Sequence, residues 1–405
     1  MKFVSLILLV ITLFLSFGHG QIPNEISFRV SGATDHSDLR FLRKAVAGKR
    51  IVMLGEFSHG AKEINLVKNR IISFLHEELG YDLLLIESGI GEALVVDLHR
   101  NRLRGDQMLS GITGPWRTQE YISFMEYLKT KPELRFGGID VQKTGSTFAD
   151  ELSKVATSKG VEFTDSSNVE TRFASLTPKL SNLKTALNQE TRSETDNLIA
   201  DLRALHSQIQ PGGSKKGDVA TQIVLKTLEN RIKYLQYFLQ FRIDGDVRRR
   251  FAARDRAMAE NVLWFVNELY PDAKVIVSGH NYHVAKFNQK EVVMGQLLFQ
   301  QLGKQAYSIG IFGGEGQFAN NARLTGELKR PTTTDDVQDL ASNISGEASF
   351  LAIPKKQTKA NERLFGDVIV NDSFIDLDSG NKLNLSKSFD ALIFIKKISP
   401  PQFTF

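Results

Sequence analysis

The 405-residue sequence has no cysteine. That absence excludes disulfides, thiolate metal sites, iron–sulfur clusters, lipoprotein acylation and a cysteine nucleophile. Familiar catalytic signatures are missing too: no Gly-x-Ser-x-Gly elbow, no Walker A loop and no His-Glu-x-x-His. Gly314-Glu315-Gly316 followed by Ala319 echoes a dinucleotide fingerprint but opens no helix. Charge of one sign is not in large excess, the formal net charge being +5. Arg248-Arg249-Arg250, with Arg254 and Arg256 behind, carries no interleaved exposed aromatics and reads as a solvated helix face, so no nucleic-acid partner is expected.

Long apolar runs are confined to residues 4–17, which follow Lys2 and precede Gly18-His19-Gly20. A basic start, a short apolar stretch and small residues at its end describe a secretory leader, residues 1–20, cleaved before Gln21. The run is short for a membrane span. The expectation is a secreted or periplasmic protein with no stable membrane anchor after cleavage; the sequence leaves its oligomeric state open.

What is present is an α/β pattern. Residues 50–54 (RIVML) form a short apolar strand ending at Gly55. Ile64, Val67, Ile71, Leu75 and Leu79 then recur at helical spacing, and Gly80 stops the helix. Residues 82–86 (DLLLI) are a second strand. Strand, helix and strand with short joins make a βαβ unit and predict a mainly parallel sheet with flanking helices. Further strands are expected at 134–139, 274–278, 307–312, 350–353 and 391–395, and a helix at 254–269 with Met258, Val262, Phe265 and Leu269 on one face. Between two parts of this core, 21–146 and 248–405, residues 147–247 carry leucine stripes and predict a helical insertion. Leu176, Leu180, Leu183 and Leu187 form one stripe, Leu198, Leu202 and Leu205 another, and Leu225, Leu228, Ile232 and Leu235 a third.

Histidine is scarce, so its placement is informative. Of eight, one lies in the leader, and three of the rest follow predicted strands: His59, His280 and His283. Glu56, Glu87 and Asp140 also stand at strand ends. Ligands of an open α/β sheet bind outside the carboxyl ends of its strands, so these six residues belong to one candidate site, although each acid alone could serve as a cap. His36, His76, His99 and His206 lack that context and read as structural. Ser58 and Ser88 lie beside the site but carry no nucleophile motif.

These residues resemble the signatures of the erythromycin esterase family. Leu54-Gly55-Glu56-Phe57-Ser58-His59-Gly60-Ala61-Lys62-Glu63 is similar to its first, Ile86-Glu87-Ser88-Gly89 to its second, and Gly138-Ile139-Asp140-Val141-Gln142 to its Gly-x-Asp-x-Gln stretch. Trp116, Thr118 and Glu120 fit a Trp-x-Thr-x-Glu segment. Arg254-Asp255, Met258-Ala259-Glu260-Asn261 and His280-Asn281-Tyr282-His283 resemble the rest, the likeness running over about residues 35 to 395. The resemblance implies an α/β hydrolase unrelated to the serine-triad fold. It also implies that water opens an ester or lactone directly, with His59 as general base, Glu56 and Glu87 as active-site acids, and His280 and His283 as a second histidine pair. Lys68 stands where macrolide esterases place an arginine, and Tyr282 where a small residue is common. Lys68, Trp116 and Asp140 are the expected substrate contacts.

The expected mechanism needs no cofactor. A neutral histidine can take a proton from water near neutral pH. Glu56 or Glu87 would orient it, and His280, His283 or Lys68 would face the oxyanion. Two alternatives remain open at this stage. In one the three histidines and a carboxylate hold Zn²⁺. In the other the chain is a non-catalytic envelope or polysaccharide-associated binding protein.

Overall fold

Every residue of the strand Ile51–Leu54 is buried, as is every residue of Val275–Ser278, so both strands are covered on both faces. A computed structural model of the chain describes residues 24–32, 35–162, 168–210, 217–328, 333, 336–370 and 382–404. The expected leader, residues 1–20, lies outside the described residues. Among those described, no helix is long and apolar enough to cross a membrane.

The strands in chain order are β1 (Ile26–Phe28), β2 (Ile51–Leu54), β3 (Leu83–Gly89), β4 (Arg135–Asp140), β5 (Val275–Ser278), β6 (Ala306–Ala319), β7 (Thr325–Glu327), β8 (Ala348–Ala352), β9 (Asp367–Ile369), β10 (Lys382–Asn384) and β11 (Ala391–Ile398). The main sheet runs β1-β8-β11-β6-β2-β5-β3-β4, with β7 on the end of β6, and β9 pairs β10 separately. From β11 to β4 all neighbours are parallel. The edge strands β8 and β1, and the hairpin partner β7, are antiparallel. The sheet is therefore largely parallel, as the βαβ pattern requires. Gly314 to Gly316 lie inside β6, not at a nucleotide-binding turn.

β2 and β3 are joined by the helix Lys62–Leu79, which ends at Gly80 in the left-handed conformation (φ 68°). Yet they are not neighbours: β5 pairs with both. This brings the loop after β5 between the loops after β2 and β3.

Residues 147–247 hold the helices Thr147–Ser158, Val169–Ser181, Gln189–Ile209 and Val219–Asp244. Leu176, Leu180, Leu198, Leu202, Leu205, Leu228 and Leu235 pack with Val95 and Val141 in a second hydrophobic cluster. Leu183 departs from the expected stripe and is exposed. Its helix carries Pro178 within its last turn and ends at Ser181, so Leu183 falls past the periodic segment. The buried Arg231 ties this region to the core. It donates to Glu170 at 2.9 Å and to Glu92 at 2.5 Å, and Lys143 reaches Glu170 at 2.6 Å.

Candidate active site

The loops after β2, β3, β4 and β5 converge at one edge of the sheet. Asn281 fastens two of them. Its backbone N–H donates to Glu56 O at 2.7 Å, and its side chain bonds both backbone groups of Ile311 on β6, at 2.8 and 3.0 Å. A Cβ at Gly55 would lie 2.1 Å from Asn281 Oδ1, so only glycine fits there.

Glu56 is fully buried and has three partners. Its Oε1 accepts from His59 Nδ1, and from Trp116 Nε1 at 3.1 Å; its Oε2 accepts from Lys68 Nζ at 2.6 Å. Burial alone would raise its pKa, but Lys68 and then His59 outweigh burial and hold it below the ordinary carboxylate range. The His59 ring meets Trp116 edge-on at 5.1 Å and His280 at 5.5 Å. No described residue hydrogen-bonds His59 Nε2, the nitrogen left after Nδ1 is taken by Glu56.

Glu87 accepts from Arg254 Nη2 at 2.8 Å and from the His280 backbone at 2.9 Å, with His283 Nε2 at 3.2 Å. Burial pushes its pKa up, but His283 and Arg254 hold it well below the usual value. His283 Nδ1 donates to Asp255, its two oxygens lying at 2.9 and 3.0 Å. Burial opposes charge on this imidazole, yet Asp255 and Glu87 prevail and push its pKa up to about 9. Its Nε2 lies 3.2 Å from Glu87 Oε1 as an ion pair and 3.1 Å from Arg254 Nη1.

His280 is the opposite case. Its Nε2 donates to Phe57 O at 2.8 Å, and its Nδ1 accepts from the Tyr282 backbone at 3.2 Å. Those two bonds select the neutral ring, and burial followed by the nearby His59 lowers its pKa to about 3. With both nitrogens committed to backbone, His280 is a poor oxyanion donor as it stands.

The three expected substrate contacts are buried and bonded within the cluster. Lys68 has no exposed surface, and its ammonium lies between Glu56 and the Trp116 ring, 5.2 Å from the ring centroid. Trp116, also fully buried, stacks on Tyr121. Asp140 accepts from Arg254 at 3.1 and 2.5 Å through its two oxygens. Of the acids expected to orient His59, Glu56 is the one in contact. Ser58 Oγ donates to Ala319 O at 3.2 Å, and Ser88 Oγ accepts from Thr113 N at 2.9 Å. His36, His76, His99 and His206 each pair with a carboxylate away from this cluster.

Arg254 corrects the reading of the basic cluster as a solvated face. It is nearly buried and lies at the centre of the Glu87–Asp140–His283 network. The signal was available: Arg254 falls one helical turn before Met258, on the buried stripe of the helix Val247–Trp264. Asp255, fully buried against His283 and the backbone N–H of Met294, joins the cluster from the same helix without standing at a strand end. Among the described residues no three histidine, aspartate or glutamate side chains converge as a metal-binding group. The geometry commits each imidazole separately, to Glu56, to backbone and to Asp255.

An open, largely parallel α/β sheet thus carries a carboxylate-held histidine at its carboxyl edge, with no serine nucleophile motif beside it. The family model described as Erythromycin esterase matches residues 76–398. The chain is 32% identical to a Bacillus subtilis (strain 168) protein named "Putative hydrolase YbfO" over 311 residues, 69% of this chain and 68% of that protein. It is 26% identical over 328 residues to an Escherichia coli protein, erythromycin esterase type II, covering 73% of this chain and 76% of that one. Among solved structures, a Bacillus cereus protein superposes with a TM-score of 0.74 at 22% identity, covering 94% of this chain and 97% of that one. A mutant of the erythromycin esterase EreC in its open conformation gives 0.62 at 18% identity, covering 91% and 95%. This chain belongs to the erythromycin esterase family, and is a hydrolase acting on a small-molecule substrate.

Proposed function

We propose that the protein is an exported hydrolase that cleaves a carboxylic ester or lactone by direct attack of a water activated by His59. The observation that carries this reading is the Lys68–Glu56–His59 chain. A buried, ionised carboxylate holds Nδ1–H and leaves Nε2 to accept a proton. Water attacks the carbonyl carbon while Nε2 takes its proton. The tetrahedral oxyanion collapses, and the imidazolium returns the proton to the departing alkoxide. Glu56 remains ionised throughout, facing the charge that forms on His59. His283 and Arg254 bring positive charge to the same edge, balanced by Glu87, Asp140 and Asp255. Secretion is proposed on the leader-like residues 1–20.

The test is ester and lactone hydrolysis by residues 21–405, with a macrolide in the panel, with and without chelator, beside His59→Ala. Turnover that survives the chelator and falls by about two to four powers of ten in the variant is expected. Turnover lost to the chelator and restored by Zn²⁺ would replace the histidine base with a metal-bound water. No turnover on any ester would favour the binding-protein alternative.

A further inference from the structure

Beyond the catalytic cluster, a pocket of about 470 Å³ opens between the helices Val219–Asp244 and Val247–Trp264. That volume is within the range of small-molecule sites, roughly 300–1,000 Å³. Lys233, Tyr237, Phe241, Arg249, Arg250 and Arg256 contribute to its wall. The two acids on the same wall are already engaged: Glu260 pairs with Lys233, and Asp246 accepts from the Arg249 backbone at 2.9 Å. Arg250 and Arg256 have no carboxylate partner among the described residues.

Arg250 is the more informative of the two. Its guanidinium lies among three aromatic rings, with centroids at 5.2, 4.6 and 4.9 Å for Phe238, Phe241 and Phe251. Those faces hold the guanidinium as a flat, half-buried cation. Its N–H fork remains without an anion, the geometry that suits a two-oxygen acceptor. Burial and the neighbouring Arg254 lower its pKa, a cost that a bound oxyanion would offset. The pocket shares the helix Val247–Trp264 with Arg254. Ala253 and Ala257 on its wall flank Arg254, which holds Glu87 and Asp140.

We propose that this pocket binds an oxyanion group, carboxylate or phosphate, carried by the substrate, with Arg250 as its principal ligand and Arg256 as a second. The binding claim stands on the pocket itself; only the assignment of the anion to the substrate rests on the hydrolase reading above.

The test separates the two claims. Inorganic phosphate and glutarate, with neutral glutaramide as control, are titrated calorimetrically into wild type, His59→Ala, Arg250→Gln and the more exposed Arg256→Gln, all checked for unchanged melting. Saturable binding of one or both anions is expected in wild type and His59→Ala alike, weakened about ten-fold or more in Arg250→Gln and measurably in Arg256→Gln. Preference for phosphate or for glutarate identifies which oxyanion the pocket takes. No saturable binding in wild type, or wild-type affinity in both arginine variants, overturns the proposal. Hydrolysis of mono(4-nitrophenyl) glutarate and 4-nitrophenyl butyrate then tests the substrate assignment. The ratio of their kcat/KM values should fall about ten-fold in Arg250→Gln, and an unchanged ratio overturns that assignment. Anion binding without turnover of any ester would instead sink the hydrolase reading and leave the pocket standing.

Discussion

At the residue scale, Lys68 carries the most direct consequence. Its ammonium is buried and bonded to Glu56, so in the proposed mechanism it would act through the carboxylate that holds His59. Lys68→Met removes one partner of a buried pair, which typically costs about 3–5 kcal/mol in stability. The same change releases Glu56 and His59 from their alignment, so kcat should fall about ten- to a hundred-fold with KM nearly unchanged. Steady-state kinetics beside urea unfolding check this. A rise in KM at constant kcat would return Lys68 to a substrate contact. Such a role was the natural expectation from sequence, since a lysine aligned with an active-site arginine does not disclose its burial.

At the element scale, the loops after β2 and β5 work as one unit. Asn281 spans the loop after β2 and the strand β6, and its side chain occupies the space a Cβ at Gly55 would need. Gly55→Ala should therefore displace Asn281 and with it the His59 and His280 loops. A stability loss of about 1–3 kcal/mol, the usual cost of overpacking, is expected. Activity should fall by more than that loss explains, read by unfolding midpoint and by kcat at a temperature where the variant is folded. Wild-type stability and activity in this variant would mean that the clamp does not position the site. Strand and helix positions were legible because apolar runs and helical spacing are local. The insertion of β5 between β2 and β3 was not, because pairing of distant strands leaves no periodic trace.

At the scale of the whole molecule, buried charges give stability a dependence on pH. Glu56 and Glu87 have folded pKa values below the ordinary carboxylate value. Their contribution is present above that value and lost as pH falls through the folded values. His280, lowered to about 3, resists protonation when folded, so stability already declines as pH falls below about 6.5, its unfolded value. His283, raised to about 9, contributes fully below about 6.5 and loses that contribution as pH rises through about 9. Urea unfolding between about pH 3 and 10 should therefore show a maximum near 6.5 with both limbs descending. A flat alkaline limb would mean that His283 is not held as the imidazolium.

The sequence by itself determined the α/β class, the main strands, the helix after β2, the family resemblance, and the residue types at the strand ends. Composition, periodicity and short motifs are properties of neighbouring residues, and a chain read one window at a time reveals them. Tertiary structure alone decided which acid holds His59, that Lys68 and Trp116 bond Glu56 while Asp140 bonds Arg254, and that Arg254 joins Glu87, Asp140 and His283. Those outcomes depend on burial and on distances between segments far apart in the chain. A carboxylate, lysine or arginine has the same formula on a solvated face as in a desolvated network, and only packing sets which charge it meets.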